Sequence, residues 1–300
     1  MKVSVIVATY HPNMFNHFKE CIDSLQNQSY DDLEIICIVD GDENYYKMIK
    51  EEIPDIEIHL NEKNLGLLLS RNRGAKLAEG DIIAFIDDDA VADRKWIEEL
   101  VKTYELDAIA AGGKLVPLWI TKEPKWFPEE FYWMIGATHL GFPDKIAEVR
   151  NTFGSNISFR RDIFLELGGF NPSMGGIKGN RMLQGGETEF CERMRQRYGK
   201  GVMYNPDAIV YHKIFSRRLE KKFLLRRAFW QGYSKAVMKR MAGEIGEEMT
   251  FIKFLMKDRL VVRFVDMLKG SGEDAVKILM ILIFTFFVGV GYIWGLLNSN

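Results

Sequence analysis

Along the first 112 residues, apolar runs recur in short blocks with few polar positions: VSVIVA (3–8), LEIICIV (33–39), IEIHL (56–60), DIIAFI (81–86) and AIAAG (108–112). Their lengths and β-branched content predict strands. Between them, at 14–27, 43–52, 66–78 and 93–105, apolar residues return every three or four positions, the spacing of helices with one buried face. Strand and helix in alternation, with strands apolar on both faces, predict a mostly parallel, Rossmann-like α/β sheet covered by helices. In such sheets ligands bind beyond the carboxyl ends of the strands.

The C-terminal pattern differs. From Ala275 to Leu297 the chain reads AVKILMILIFTFFVGVGYIWGLL, with one charge near its start. At about 1.5 Å per residue this covers roughly 30 Å or a little more, the thickness of a bilayer's hydrocarbon core. Tyr292 and Trp294 stand near its end, at the depth where aromatic residues favour a membrane interface. A transmembrane helix is therefore expected over 273–297, the competing reading being a very hydrophobic core helix. Ahead of it, 216–270 reads as a basic amphipathic, interfacial helical region following a globular domain at 1–215, the alternative for its amphipathic helix being a surface helix packed on that domain. Arg217 to Lys269 holds 14 Lys and Arg against 6 Asp and Glu, although the whole chain has a formal charge of −2. By the positive-inside rule that basic flank is cytoplasmic. The expected topology is a single pass in the cell membrane, with the globular domain on the cytoplasmic face and only NSN outside.

Composition narrows the remaining choices. The 300 residues, 47% of them hydrophobic, suffice for a substantial core. The slightly negative charge argues against nucleic acid as a partner. Cys21, Cys37 and Cys191 lack the spacing of a disulfide framework or a zinc site, which fits a reducing, cytosolic setting. MKVSVIVATY is read as a first buried strand, not a signal peptide.

The candidate chemistry gathers at the predicted strand ends. Asp87, Asp88 and Asp89 follow DIIAFI directly. Alternation along a strand end lets Asp87 and Asp89 point the same way and share a divalent cation, Mn2+ or Mg2+, while Asp88 points elsewhere. The competing use is capping of the next helix, for which Asp93 is better placed. Asp40, after the second strand, suits hydrogen bonds from a base or ribose, although Asp-Gly is first a turn signal. Arg71 and Asn72 stand near a helix start where an anion could be held. His212 ends the apolar strand AIVYH and is either a ligand or a structural histidine. Glu187 and Glu189 fall in the first turn of a helix running to about Tyr198, where acids are also favoured by the helix dipole.

In order and spacing, VSVIVATYHP, IVDGD, NLGLLLSRNRGAKLAEGDIIAFIDDDAVADRKWIEEL, GSNISFRRDIFLELGGFN and GGETEFCERMR resemble family 2 of the inverting glycosyltransferases, over about residues 1 to 212. That resemblance implies a GT-A fold in a catalytic domain and a nucleoside-diphosphate sugar donor, a UDP-sugar in the first instance. It also implies a DxD metal site at Asp87 and Asp89, which His212 joins at the metal or the diphosphate. Nucleotide contacts are implied at Thr9, Tyr10, Asp40 and Arg71, with Asp88 beside them. The general base is implied within GGETEF. Where the family commonly writes Glu-Asp with Asp as the base, this chain has Gly186 and Glu187, so Glu187 and Glu189 both stand as catalytic candidates.

RRAFWQGYSKA with the terminal GYIWG is similar to archaeal enzymes that extend dolichyl-phosphate-linked sugars, glucuronosyl-transferring ones among them. This implies a polyprenyl or dolichyl phosphate, or a lipid-linked sugar, as acceptor in the bilayer, and a hexosyltransferase acting in protein glycosylation. The aromatic insert LWITKEPKWFPEEFYWMIG (118–136) is expected to form a lid or acceptor contact, or a packed Ω-loop. Two rival classes use the same acids: a metal-dependent nucleotidyl- or phosphotransferase, and a non-catalytic sugar-nucleotide-binding membrane protein.

Overall fold

The computed structural model describes residues 1–178, 181–242 and 247–298. It divides into two compact units, one of Met1–Val116, Pro143–Gly176 and Gly186–Lys213, the other of Pro117–Phe142, Ile177–Gly185 and the chain from Ile214. Within the expected 216–270 region, 243–246 lie outside the described residues, as do 299–300 of the expected outer tail.

The first unit opens with β1 (Val3–Thr9), α1 (Phe15–Gln26), β2 (Leu33–Asp40), α2 (Glu43–Glu52), β3 (Glu57–Asn61), α3 (Leu67–Leu77), β4 (Ile82–Asp87), β5 (Ala90–Ala92), α4 (Trp96–Tyr104) and β6 (Ala110–Trp119). It resumes with β7 (Ala147–Val149), β8 (Ile157–Arg160) and α5 (Arg161–Glu166). The short ribbon of β9 (Gly176–Lys178) and β10 (Arg181–Leu183) belongs almost wholly to the second unit, and the first continues with α6 (Gly186–Tyr198) and the long β11 (Val202–Ile214).

The main sheet runs β3-β2-β1-β4-β8-β6-β11-β5, with β7 also paired to β11. Its first four strands are parallel, as the alternating pattern requires. Val3, Val5 and Val7 of β1 face one core with α1, α2 and α4, while Ile6 faces the other with α3, α5 and α6. Phe18, Cys21, Ile22 and Leu25 form the buried stripe of α1, at the three-and-four spacing of an amphipathic helix. Asp42 caps α2 by accepting from the Tyr45 N–H at 2.8 Å.

Beyond β4 the sheet changes character: β8 is antiparallel to both β4 and β6, and β11 is antiparallel to β5 and β7. The run at 108–112 thus begins an antiparallel strand. Because β1 has parallel neighbours on both sides, the chain reverses its order there, and the carboxyl ends of β1 and β4 border the crevice where such sheets take ligands.

The second unit contains α7 (Lys221–Ala242), α8 (Glu247–Phe254), a π turn at Leu255–Arg259, α9 (Leu260–Leu268) and α10 (Gly272–Asn298). Its core joins Phe127, Phe131, Met134 and Ile135 of the 118–136 insert to Leu224, Ala228, Ile281 and Phe284. The insert is therefore packed within its own unit. α7 and α10 lie side by side and parallel, at glycine contact distance: a Cβ on Gly291 would come within 1.9 Å of the Phe229 carbonyl oxygen, and one on Gly232 within 1.9 Å of the Val288 oxygen. Such close approach through small residues is a common way for apolar helices to pair.

A buried ion network fastens the start of α10. Glu130, fully buried, accepts from Arg259 Nε at 2.8 Å and from Arg263 Nε and Nη2 at 3.0 and 2.8 Å. Arg263 also pairs with Glu129 and, at 2.7 Å, with Asp274; Lys277 pairs with Glu129.

Candidate active site

The parallel register lines up the candidate residues. Ala8 pairs with Asp87 across β1 and β4, Thr9 with Val39, and Asp40 with Asn61, so Thr9, Asp40, Asn61 and Asp87 follow one edge of the sheet. After Asp87 the chain turns through Asp88 and Asp89 into β5, whose antiparallel pairing with β11 sets Ala90 opposite His212.

Asp87, Asp89 and His212 converge there, each offering one ligand atom, and these atoms all lie within 4.8 Å of one another. His212 Nε2 is 3.2 Å from Asp89 Oδ1. The histidine is buried, yet neither ring nitrogen has a hydrogen-bond partner. A buried imidazole with no hydrogen bond among the described residues is costly, and two carboxylate oxygens with one nitrogen are a donor set for a divalent ion of the magnesium or manganese kind. The residues present fit such an ion.

Asp88 turns away from this group, and its Oδ2 accepts from Thr9 Oγ1 at 2.6 Å. Desolvation pushes its carboxyl up to about 7 against the Thr9 bond, helped by the neighbouring Asp89 and Asp87 charges. Tyr10 is exposed at the strand end. Asp40 is buried and occupied by its own loop: it accepts from the backbone N–H groups of Leu65 and Gly66 and from Asn61 Nδ2, each at 2.8 Å. The turn that follows depends on Gly41, at φ 82°, where a Cβ would lie 2.2 Å from the Asn64 nitrogen.

Arg71 takes the centre. Its side chain is buried, with Nη2 donating to Asp87 Oδ1 at 2.7 Å and Nη1 to Glu187 Oε1 at 2.8 Å. One guanidinium thus joins a candidate metal ligand to a candidate base. Gly154 makes room for the pair, since a Cβ there would meet Glu187 Oε1 at 2.1 Å and Arg71 Nη1 at 2.6 Å. The adjacent Ser155 accepts from the Asp87 N–H at 3.0 Å. Sequence reasoning missed Gly154 and Ser155, although both lie in the GSNISF stretch.

Glu187 and Glu189 have different partners. The Glu187 side chain remains 22% exposed. Glu189 is held by Arg193 one turn along α6, Nε to Oε1 at 2.7 Å and Nη2 to Oε2 at 3.1 Å. Arg193 in turn donates to the carbonyls of Leu167 and Gly169. Glu189 therefore ties α6 to the loop after α5, while Glu187 faces the acid cluster through Arg71.

Known proteins resemble the chain in sequence and in fold. The family described as Glycosyl transferase family 2 matches residues 4–168. The glucosyl-dolichyl phosphate glucuronosyltransferase of Haloferax volcanii is 43% identical over 310 aligned positions, covering 100% of this chain and 98% of the relative. Among solved structures, the mannosyltransferase PcManGT from Pyrobaculum calidifontis, in complex with GDP-Man and Mn2+, superposes with a TM-score of 0.60 at 17% identity, covering 100% of this chain and 88% of that one. TarS 1-349 of S. aureus, in complex with UDP-GlcNAc, gives 0.58 at 16% identity over 96% and 82%. These two likenesses place the fold as GT-A-like. With more than half the chain matched by the family and a relative aligned from end to end, the chain belongs to glycosyl transferase family 2 and is a glycosyltransferase.

Proposed function

We propose that this enzyme transfers a glucuronosyl residue, with inversion, from a nucleoside-diphosphate sugar, a UDP-sugar in the first instance, to a sugar hydroxyl of a dolichyl-phosphate-linked acceptor. The observation carrying this reading is the end-to-end similarity to the Haloferax glucosyl-dolichyl phosphate glucuronosyltransferase. Asp87, Asp89 and His212 hold a divalent cation, Mn2+ or Mg2+, which when bound offsets the charge of the departing diphosphate.

The chain's own groups divide the remaining work. A sugar hydroxyl must lose its proton as its oxygen attacks the anomeric carbon, whereas a phosphate oxygen is already ionised at neutral pH. A carboxylate is thus an asset beside a hydroxyl acceptor and a repulsive neighbour for a bare lipid phosphate. Glu187, partly open and in the α6 first turn, takes that proton. Arg71 fixes Glu187 relative to Asp87, and Thr9, Tyr10 and Asp88 line the nucleotide side. Asp40 holds the 64–66 loop against the same edge. Residues 1–215 form the catalytic domain, and α10, long and apolar enough to cross a membrane, anchors it at the cytoplasmic face.

The test is incubation of the purified chain with a panel of nucleotide sugars and extracted polyprenyl lipids, read by mass spectrometry of the lipid. A gain of one hexuronic acid on a lipid-linked hexose is expected. Addition to the free lipid phosphate alone, or transfer of a nucleotidyl group, overturns the reading.

A further inference from the structure

Asn156 follows Gly154 and Ser155 in the loop that leads into β8, and it is fully buried. Its side-chain amide is engaged at both ends. Oδ1 accepts from the Trp96 indole N–H at 2.8 Å and from the Gly113 N–H at 3.1 Å, while Nδ2 donates to the Lys114 and Ala208 carbonyls at 3.0 and 2.8 Å. One end thus meets N–H donors and the other meets carbonyls, so the amide has a single workable orientation. Two glycines of β6 let the chain close around it. A Cβ on Gly112 would collide with Thr152 Oγ1, whose hydroxyl donates to the Asn156 carbonyl at 2.8 Å, and a Cβ on Gly113 would collide with the Ala208 carbonyl oxygen.

These bonds connect the two strands that carry the candidate cation ligands. Asp89 is tied to His212 through the pairing of β5 with β11. Asp87 ends β4, and β8 and β6 stand between β4 and β11 in the sheet. Its link to the histidine strand runs through the loop instead: the Asp87 N–H donates to Ser155 Oγ at 3.0 Å, and the next residue, Asn156, donates to Ala208, which lies in β11 ahead of His212. Two hydrogen bonds from adjacent side chains therefore span from β4 to β11. A buried polar group whose partners are all satisfied holds one arrangement of the elements around it.

We propose that Ser155 and Asn156 are positioning residues for the cation site, setting Asp87 relative to His212 and acting through those ligands rather than on the ion. This rests on the cation reading of Asp87, Asp89 and His212. Groups that orient metal ligands from behind change affinity by about 10–100-fold when removed.

Three substitutions in the full chain separate positioning from general support of the fold. Asn156→Asp keeps an oxygen for Trp96 and Gly113 but sets an acceptor against the Ala208 carbonyl. Trp96→Phe does the reverse, removing one donor to Oδ1 and leaving the Ala208 bond. Ser155→Ala removes the acceptor for the Asp87 N–H. The Kd for Mn2+ is measured by calorimetry on folded protein, with thermal melts alongside. Asn156→Asp and Ser155→Ala should each raise Kd by about 10–100-fold, and the double variant should go no further than the weaker-binding single one, because both cut the same path. Trp96→Phe should lower Tm and keep the parental Kd. A parental Kd in Asn156→Asp or Ser155→Ala overturns the proposal, as do additive effects in the double variant or a Kd in Trp96→Phe raised as far as in the other two. If Asn156→Asp yields no folded chain, Ser155→Ala and Trp96→Phe decide by the same criteria. A parent that takes up no Mn2+ removes the cation reading and the proposal with it, whereas parental affinity in the variants removes the proposal alone.

Discussion

Glu187→Gln and Glu189→Gln, made separately, should leave opposite signatures. Both oxygens of Glu189 are engaged by Arg193, which also holds the Leu167 and Gly169 carbonyls. The amide of Gln would set a donor against the guanidinium. Arg193 is 31% exposed, so water screens part of the loss, and the cost is about 1–2 kcal/mol. For a domain of this size that is a fall of about 2–8 °C in Tm. Turnover should be close to that of the parent. Glu187→Gln keeps a carbonyl oxygen for Arg71 and removes the proton acceptor, so the melt should move by no more than about 1 kcal/mol. Transfer should fall by about 10²–10⁴-fold, or roughly 3–5 kcal/mol in the barrier. The assay is single-turnover transfer to the lipid acceptor, with nucleotide-sugar binding by calorimetry and thermal melts in the same detergent. Full activity in Glu187→Gln, combined with a hundredfold loss and a native melt in Glu189→Gln, refutes the assignment and makes Glu189 the base.

Gly154→Ala forces a methyl group against Glu187 Oε1 and Arg71 Nη1, so kcat should drop at least tenfold while KM for the donor holds; unchanged kcat counts against a set position for Glu187. At 100 times its Kd, Mn2+ should stabilise the parent by about 2.7 kcal/mol, a Tm rise of about 5–10 °C, and Asp89→Asn or His212→Ala should abolish that rise; a rise that survives both substitutions removes these residues from the metal site. Burial pushes the Glu130 carboxyl up, but Arg263 and Arg259 outweigh it and hold it below the ordinary glutamate value. Because the native value is depressed, its stabilisation is complete above the unfolded value near about 4.3 and is lost as pH falls through the native one. Glu130→Gln should therefore flatten the decline of stability with acid, and parallel acid melts of mutant and parent would disprove the role given to that carboxylate.

The parallel half of the sheet was legible because buried parallel strands and their crossover helices leave strong local patterns, and α1 to α4 end within three residues of their expected limits. The antiparallel half was not. β8 has only four residues, and its partners in β4 and β6 are set by tertiary pairing that no local period records. The acids at 87–89 were visible as a run, and the convergence of Asp87 with Asp89 follows from the turn between β4 and β5. The place of Arg71 was not visible: a charge near a helix start suggests an open anion contact, but its partner Glu187 lies 116 positions away. The apolar composition of the C-terminus was legible, and α10 is long and apolar enough to cross a membrane, while its close approach to α7 through the glycines of GYIWG was not.

The pairing of β5 with β11 also sets an order of events. Asp89 and His212 meet only across that ladder, and roughly 120 residues separate them in the chain. At about 5–20 residues per second, a ribosome takes about 6–24 s to make the intervening segment. During that interval β1 to β4 gain their parallel partners and the core face against α1, α2 and α4, and later the β8, α5 and α6 packing of the other face, whereas the three candidate ligands cannot yet come together. A nascent or truncated chain ending before β11 can thus hold the parallel half of the sheet without a complete cation site. Divalent ions would stabilise only molecules whose last strand has docked, so the ion acts as a late lock on a scaffold already formed.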